Sequence, residues 1–170
     1  KVVVLVTAGE SVAALSTTDD EFVDAVAGVH RDAFESAATY DLRTPPLRRV
    51  RETLADDIGA DVRDDFDAVL EAVAPDQTDI LDEVTVALLV AARNDVLLYD
   101  ISKWGEDVGI ASKATFSRTK TRLEEAGLID TEKVPIDVGR PRLRLTVGDD
   151  RLVGDDPAAF AATAAELLSR

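Results

Sequence analysis

Two short stretches of this 170-residue chain carry the side chains that could do chemistry. The first opens at Ser112-Lys113-Ala114-Thr115 and continues through Ser117, Arg118, Thr119, Lys120 and Arg122. From Ser112 to Leu123 it holds four basic residues and no acidic one, in a chain that contains 34 Asp plus Glu. The second is Gly139-Arg140-Pro141-Arg142-Leu143-Arg144-Leu145. Arginine suits bidentate contact with guanine O6 and N7, while lysine and the hydroxyl residues suit phosphate oxygens. The chemistry on offer is recognition of a polyanion, with no bond made or broken. Each cluster also has a plainer explanation, a helix surface with incidental cations or a basic edge strand guarded against aggregation. The two together favour recognition.

The remaining residue types exclude much else. There is no cysteine, so disulfides, thiolate metal sites and cysteine nucleophiles are ruled out. The single histidine, His30, rules out a site built on two imidazoles. No glycine loop that could cradle phosphate, nucleophile motif or metal-ligand cluster is visible. Catalysis, a metal and a cofactor are therefore not expected. No apolar run approaches the ~18 residues that span a bilayer, and no secretion signal opens the chain. A cytoplasmic chain without membrane contact is the expectation.

Total charge points the other way from the two clusters, at −15. Its distribution resolves the conflict. Residues 1–102 carry 8 basic and 22 acidic groups, residues 103–148 carry 9 and 7, and residues 149–170 carry 2 and 5. Four of the five lysines, Lys103, Lys113, Lys120 and Lys133, fall in the middle window. The acidity is mostly aspartate, 23 against 11 Glu, as a salt-rich cytoplasm would favour. Hydrated carboxylates keep a surface soluble where a Debye length of about 3 Å at 1 M salt removes long-range repulsion. The acidic coat is read as adaptation to solvent, and its interruption as the functional surface.

Elements must exist to position that surface. Residues 2–6 and 12–15 read as a β-hairpin, too small to stand alone. The chain opens at Lys1 without Met, so the hairpin is expected to be a remnant of a larger α/β region. Thr18-Asp19-Asp20-Glu21 reads as a capping box with Thr18 as the cap, and apolar spacings carry a helix to about residue 39. Helices follow over 46–58 and 61–73, with Arg48, Arg49 and Arg51 as a salt-bridged knot on the former. Residues 75–79 look like a linker. Beyond it come helices at 84–93, 102–108 and 112–126, strands at 128–134 and 142–147, and a last helix at 158–168. Helix, short helix, turn, helix and hairpin are the order of a winged helix-turn-helix. Trp104, Val108 and Ile110 would pack its helices together, with Gly105 at their crossing. Phe116 and Leu123, seven apart, would face the core, and Lys120 stands where an apolar residue is usual.

The fold class expected is mainly α with a small β component. It comprises a hairpin-and-helix remnant (1–40), a helical connector (41–78), the winged helix-turn-helix (79–148) and a C-terminal helix (149–170). Helix 112–126 would enter the major groove, with Arg140 and Arg142 on the wing at 134–144. The candidate DNA-contacting residues are Lys103, Ser112, Lys113, Thr115, Ser117, Arg118, Thr119, Arg122, Arg140 and Arg142. The partner would be double-stranded promoter DNA, read by a homodimer whose contact lies on helices 21–39, 46–58 or 157–169. A winged helix that docks on transcription machinery without reading DNA is the alternative.

Four stretches, residues 41–47, 49–54, 98–120 and 132–141, resemble the TbsP family of haloarchaeal transcriptional regulators. The run from Tyr99-Asp100-Ile101-Ser102-Lys103-Trp104-Gly105 to Lys120 is distinctive. The resemblance spans nearly the whole chain. It implies a regulator of central carbon metabolism genes, acting at promoters beside the sugar-responsive regulator TrmB. It also implies further N-terminal sequence in which a metabolite effector would be sensed.

Overall fold

A computed structural model describes residues 1–8, 11–38, 44–75, 77–136, 141–154 and 156–169. The chain divides into two compact units, Lys1–Asp41 and Leu42–Arg170.

In the first unit, β1 (Val2–Ala8) and β2 (Ser11–Thr17) pair antiparallel, in register from Val2 opposite Thr17 to Ala8 opposite Ser11. The β-branched run of β1 favours extended backbone, and β2 is held to it by the ladder. Helix α1 (Asp20–Ser36) follows. Its cap is Asp19, whose carboxylate accepts from the Phe22 amide at 2.9 Å, and not Thr18 as the capping-box pattern suggests. The carboxylate of Asp19 reaches this first-turn amide, and Thr17 Oγ1 accepts from the Asp19 amide at 3.2 Å. The helix ends at Ser36, short of the expected residue 39, which lies outside the described residues. No residue of α1 is buried, and Val3, Leu5, Val12, Leu15, Phe22, Val29 and Phe34 are all exposed.

The second unit is built around one helix. α4 (Glu83–Arg93) has the sequence Glu-Val-Thr-Val-Ala-Leu-Leu-Val-Ala-Ala-Arg, apolar on every side. Such a helix has no solvent face and must be enclosed. Residues Val84 to Ala92 are indeed all buried, and α4 is packed by α3, α5, α6 and the wing strands. Asp82 caps it, accepting from the Thr85 amide at 2.8 Å. Around it lie α2 (Leu47–Asp57), α3 (Ala60–Ala72), α5 (Leu98–Val108), α6 (Lys113–Glu125), β3 (Ile129–Val134), β4 (Arg142–Val147) and α7 (Pro157–Leu168).

Helix α5 is longer than the 102–108 expected, starting at Leu98. Leu98, Tyr99 and Asp100 follow directly on Val96 and Leu97. Leu97 bridges Arg144 on β4, and the Leu145 amide donates to the Val96 carbonyl at 2.9 Å. One residue of strand therefore precedes the helix, and β3 and β4 complete a small wing in register from Ile129 opposite Val147 to Val134 opposite Arg142.

Gly105 and Gly109 set the helix-turn-helix. A Cβ on Gly105 would lie 2.3 Å from two ring carbons of Phe116, so only glycine lets α5 and α6 cross here. Gly109 closes α5 with φ 92°, the left-handed conformation that ends helices and that favours glycine. Trp104 does more than join these two helices. Its indole N–H donates to Thr53 Oγ1 at 3.0 Å, tying α5 to α2. The apolar core is continuous from Leu54 on α2 and Phe66 on α3, through α4, to Phe160 on α7. The helices on either side of the winged helix thus share its core.

Candidate nucleic-acid interface

The reading surface starts at the cap of α6. Ser112 Oγ accepts from the Thr115 amide at 3.2 Å and lies 3.1 Å from Thr115 Oγ1. Phe116 and Leu123 are fully buried, as their seven-residue spacing requires. That orientation leaves Lys113, Ala114, Ser117, Arg118 and Thr121 exposed along the opposite side. Thr119 is half-buried at the flank. Lys120 is largely covered and holds its ammonium 2.6 Å from Glu124 Oε2, so its stem covers core while its charge stays paired.

The two arginines of this helix have different situations. Arg118 is exposed, touches Thr115 Oγ1 at 3.4 Å, and makes no ion pair among the described residues. Arg122, four residues on, donates from Nη2 to Thr85 Oγ1 at 3.0 Å. Thr85 is buried in α4, so this guanidinium is tethered at one nitrogen to the central helix, while Arg122 as a whole stays exposed. The sequence pattern places Arg118 and Arg122 together; the structure separates them by task.

The other candidate cations are matched by carboxylates of α5. Lys113 Nζ lies 3.0 Å from Glu106 Oε2, and the Lys113 amide donates to Glu106 Oε1 at 3.4 Å. The hydrogen bond from Lys113 holds the Glu106 carboxyl below the usual glutamate range. Arg142 Nη1 is 3.7 Å from Asp100 Oδ1. Lys103 pairs with Asp107, whose hydrogen bond and charge raise the ammonium above its ordinary value. Lys103 also shares a shallow cleft with Asp57, Asp100 and Asp107, an acidic setting unlike that of α6. On the wing, Arg144 stands opposite Glu132 in the strand register, 3.7 Å between Nη1 and Oε2. Arg140 lies outside the described residues.

One residue at this surface was absent from the candidates read in the sequence. Tyr99, in the first turn of α5, is 49% exposed. The Arg142 guanidinium sits 5.1 Å from its ring centre and the Lys113 ammonium 5.9 Å. The signal that could have found it is the true start of α5, four residues earlier than periodicity suggests.

Helix α4, helix α5 against it, an α6 with an outward cationic face and a strand-paired wing define a winged helix-turn-helix, the class of DNA-binding transcription regulators. The family model described as "Transcriptional regulator TbsP-like, C-terminal HTH domain" matches residues 46–165, and "Transcriptional regulator TbsP-like, N-terminal" matches residues 1–45. The chain belongs to the TbsP-like transcriptional regulators. No curated protein and no solved structure matches it. No described helix is long and apolar enough to cross a membrane, and the described residues hold no group of three or more His, Cys, Asp or Glu that could bind a metal ion.

Proposed function

We propose that this regulator reads specific promoter sequences with residues 112–126 in the major groove and the wing at 134–144 beside it. The observation that carries this reading is the outward face of α6, where Lys113, Ser117 and Arg118 are exposed with no acidic residue between Ser112 and Leu123. Small Ala114 and Ser117 let the backbone approach a groove, and Arg118 is placed for a guanine edge. Arg140 and Arg142 flank the minor groove in this reading.

Two copies would read half-sites about one helical turn apart. Of the three helices that could form the contact, α2 and α7 bury Val50, Leu54, Phe160 and Ala164 within their own unit. Helix α1 keeps Phe22, Val29 and Phe34 exposed, which supports α1 as the dimer contact. The resemblance to haloarchaeal regulators supports genes of central carbon metabolism as the targets and a metabolite effector acting through the N-terminal region. The acidic coat agrees with a salt-rich cytoplasm.

The test is selection from a random-sequence duplex pool, then anisotropy titration of the recovered duplex at molar salt. The parent is expected to enrich a two-fold symmetric site, with Arg118→Ala and Arg140→Ala both weakening binding. If both variants bind as tightly as the parent, the reading surface is wrong. No enriched sequence, together with salt-insensitive binding to a protein of the transcription machinery, would replace DNA reading by protein docking.

A further inference from the structure

Three side chains from three elements meet at one exposed ring. Tyr99 comes from α5, Lys113 from the start of α6, and Arg142 from the start of β4. Neither cation is next to the other in sequence, and their own pairing with carboxylates goes to different residues, Glu106 and Asp100. The ring is what they have in common. Tyr99 is half exposed and is not among the buried core residues, so its ring is open to the two cations on the side that the fold leaves uncovered. A cation over an aromatic face is attracted by the negative face of the ring, and the ring is rigid where lysine and arginine are not.

We infer that Tyr99 is a positioning residue of the DNA interface, holding the wing cation Arg142 and the recognition-helix cation Lys113 in a fixed relation to each other. This rests on the DNA-reading function proposed above. Phosphates along a duplex occur at set intervals, so two cations held on one rigid ring meet the backbone without first losing side-chain freedom. The ring acts through these cations and takes no direct part in base reading. Its face matters and its hydroxyl does not.

That distinction sets the experiment. The duplex recovered by selection is titrated with the full chain and its Tyr99→Phe and Tyr99→Leu variants. Tyr99→Phe keeps the ring and is expected to bind within about twofold of the parent. Tyr99→Leu is expected to bind about fivefold more weakly, the size of two exposed cation–ring contacts. In a Lys113→Ala plus Arg142→Ala background, Tyr99→Leu is expected to change nothing further. In the free protein, NMR is expected to show ring-current shifts on the Arg142 Hδ and Lys113 Hε protons that vanish in Tyr99→Leu and persist in Tyr99→Phe.

Two results overturn the inference. One is Tyr99→Phe losing as much affinity as Tyr99→Leu, which would make the hydroxyl a direct phosphate contact. The other is Tyr99→Leu costing as much in the doubly substituted background as in the parent. A parent that enriches no duplex overturns the DNA-reading proposal itself, a separate outcome. The ring-current shifts then still decide whether Tyr99 organises the two cations.

Discussion

The space where Gly105 would carry a Cβ is filled by the ring of Phe116, 2.3 Å from that position. The ring is fully buried, so it has no room to withdraw. Gly105→Ala gains about 0.5–1 kcal/mol of helix propensity but overpacks the crossing, which costs typically about 1–3 kcal/mol. At this separation the clash prevails. Urea unfolding is expected to show a net loss of about 1–2 kcal/mol. Phe116→Leu, made together with Gly105→Ala, is expected to be less destabilising than the sum of the two single changes. A Gly105→Ala variant as stable as the parent would show that the helices can separate without cost.

Arg118 and Arg122 occupy the same helix four residues apart, and the structure predicts opposite phenotypes for their removal. Arg122→Ala deprives the buried Thr85 hydroxyl of its side-chain partner, which is expected to cost about 1 kcal/mol of stability. Thr85→Val in that background removes the orphaned hydroxyl and is expected to recover part of the loss. Arg118→Ala touches only solvent and Thr115, so stability is expected to hold while DNA affinity falls by about 1–3 kcal/mol. Thermal unfolding and anisotropy on the same four proteins separate the cases. Equal stability of the two single variants would mean that the Arg122 to Thr85 bond contributes nothing.

Glu106 gives a pH signature. Its hydrogen bond from Lys113 lowers the carboxyl below the usual glutamate range. A lowered carboxyl stabilises the fold at pH above the ordinary glutamate value, and that contribution disappears as pH falls through the folded-state value. Side-chain carboxyl NMR shifts are expected to place the Glu106 midpoint below those of unpaired glutamates. In Lys113→Ala the midpoint is expected to rise toward the ordinary range without reaching it, because the backbone amide at 113 still donates to Glu106. An unchanged midpoint in that variant would show that the ammonium is not what holds the proton off.

What the sequence made legible, and what it hid, follows the range of the interactions. Helix α6, its Ser112 cap and the inward Phe116 and Leu123 are matters of local spacing, and all three could be read from residues alone. The strand at 142–147 announced itself by alternation. The start of α5 did not, because the bridge from Leu97 to Arg144 joins residues 47 apart and makes the preceding residue extended. Tyr99 was missed for the same reason. Helical spacing groups Arg122 with Arg118; the hydroxyl that engages one of its nitrogens lies on α4, 37 residues away. Local pattern located the cations, and long-range contacts decided which of them are committed elsewhere.

The commitment of cations to carboxylates has a consequence for salt. A cation that meets phosphate releases counterions from the duplex, and affinity falls with salt in proportion to the phosphates neutralised. Here Lys113 and Arg142 must first leave Glu106 and Asp100. Each abandoned carboxylate then attracts a cation from solution, which cancels a release from the DNA. The parent's slope of log affinity against log salt is therefore expected to be shallower than its count of phosphate contacts. Glu106→Gln and Asp100→Asn remove the competing charge while keeping the shape of the side chain. Each is expected to tighten binding at low salt and to steepen the slope by about one. Both carboxylates are half-exposed, so their neutralisation leaves the fold little changed. Anisotropy titrations from low to molar KCl would read the slopes directly, and identical slopes for parent and variants would show that the carboxylates do not compete with phosphate. Such insensitivity would suit binding in concentrated salt, and the α5 carboxylates beside Lys113 and Arg142 are placed to supply it.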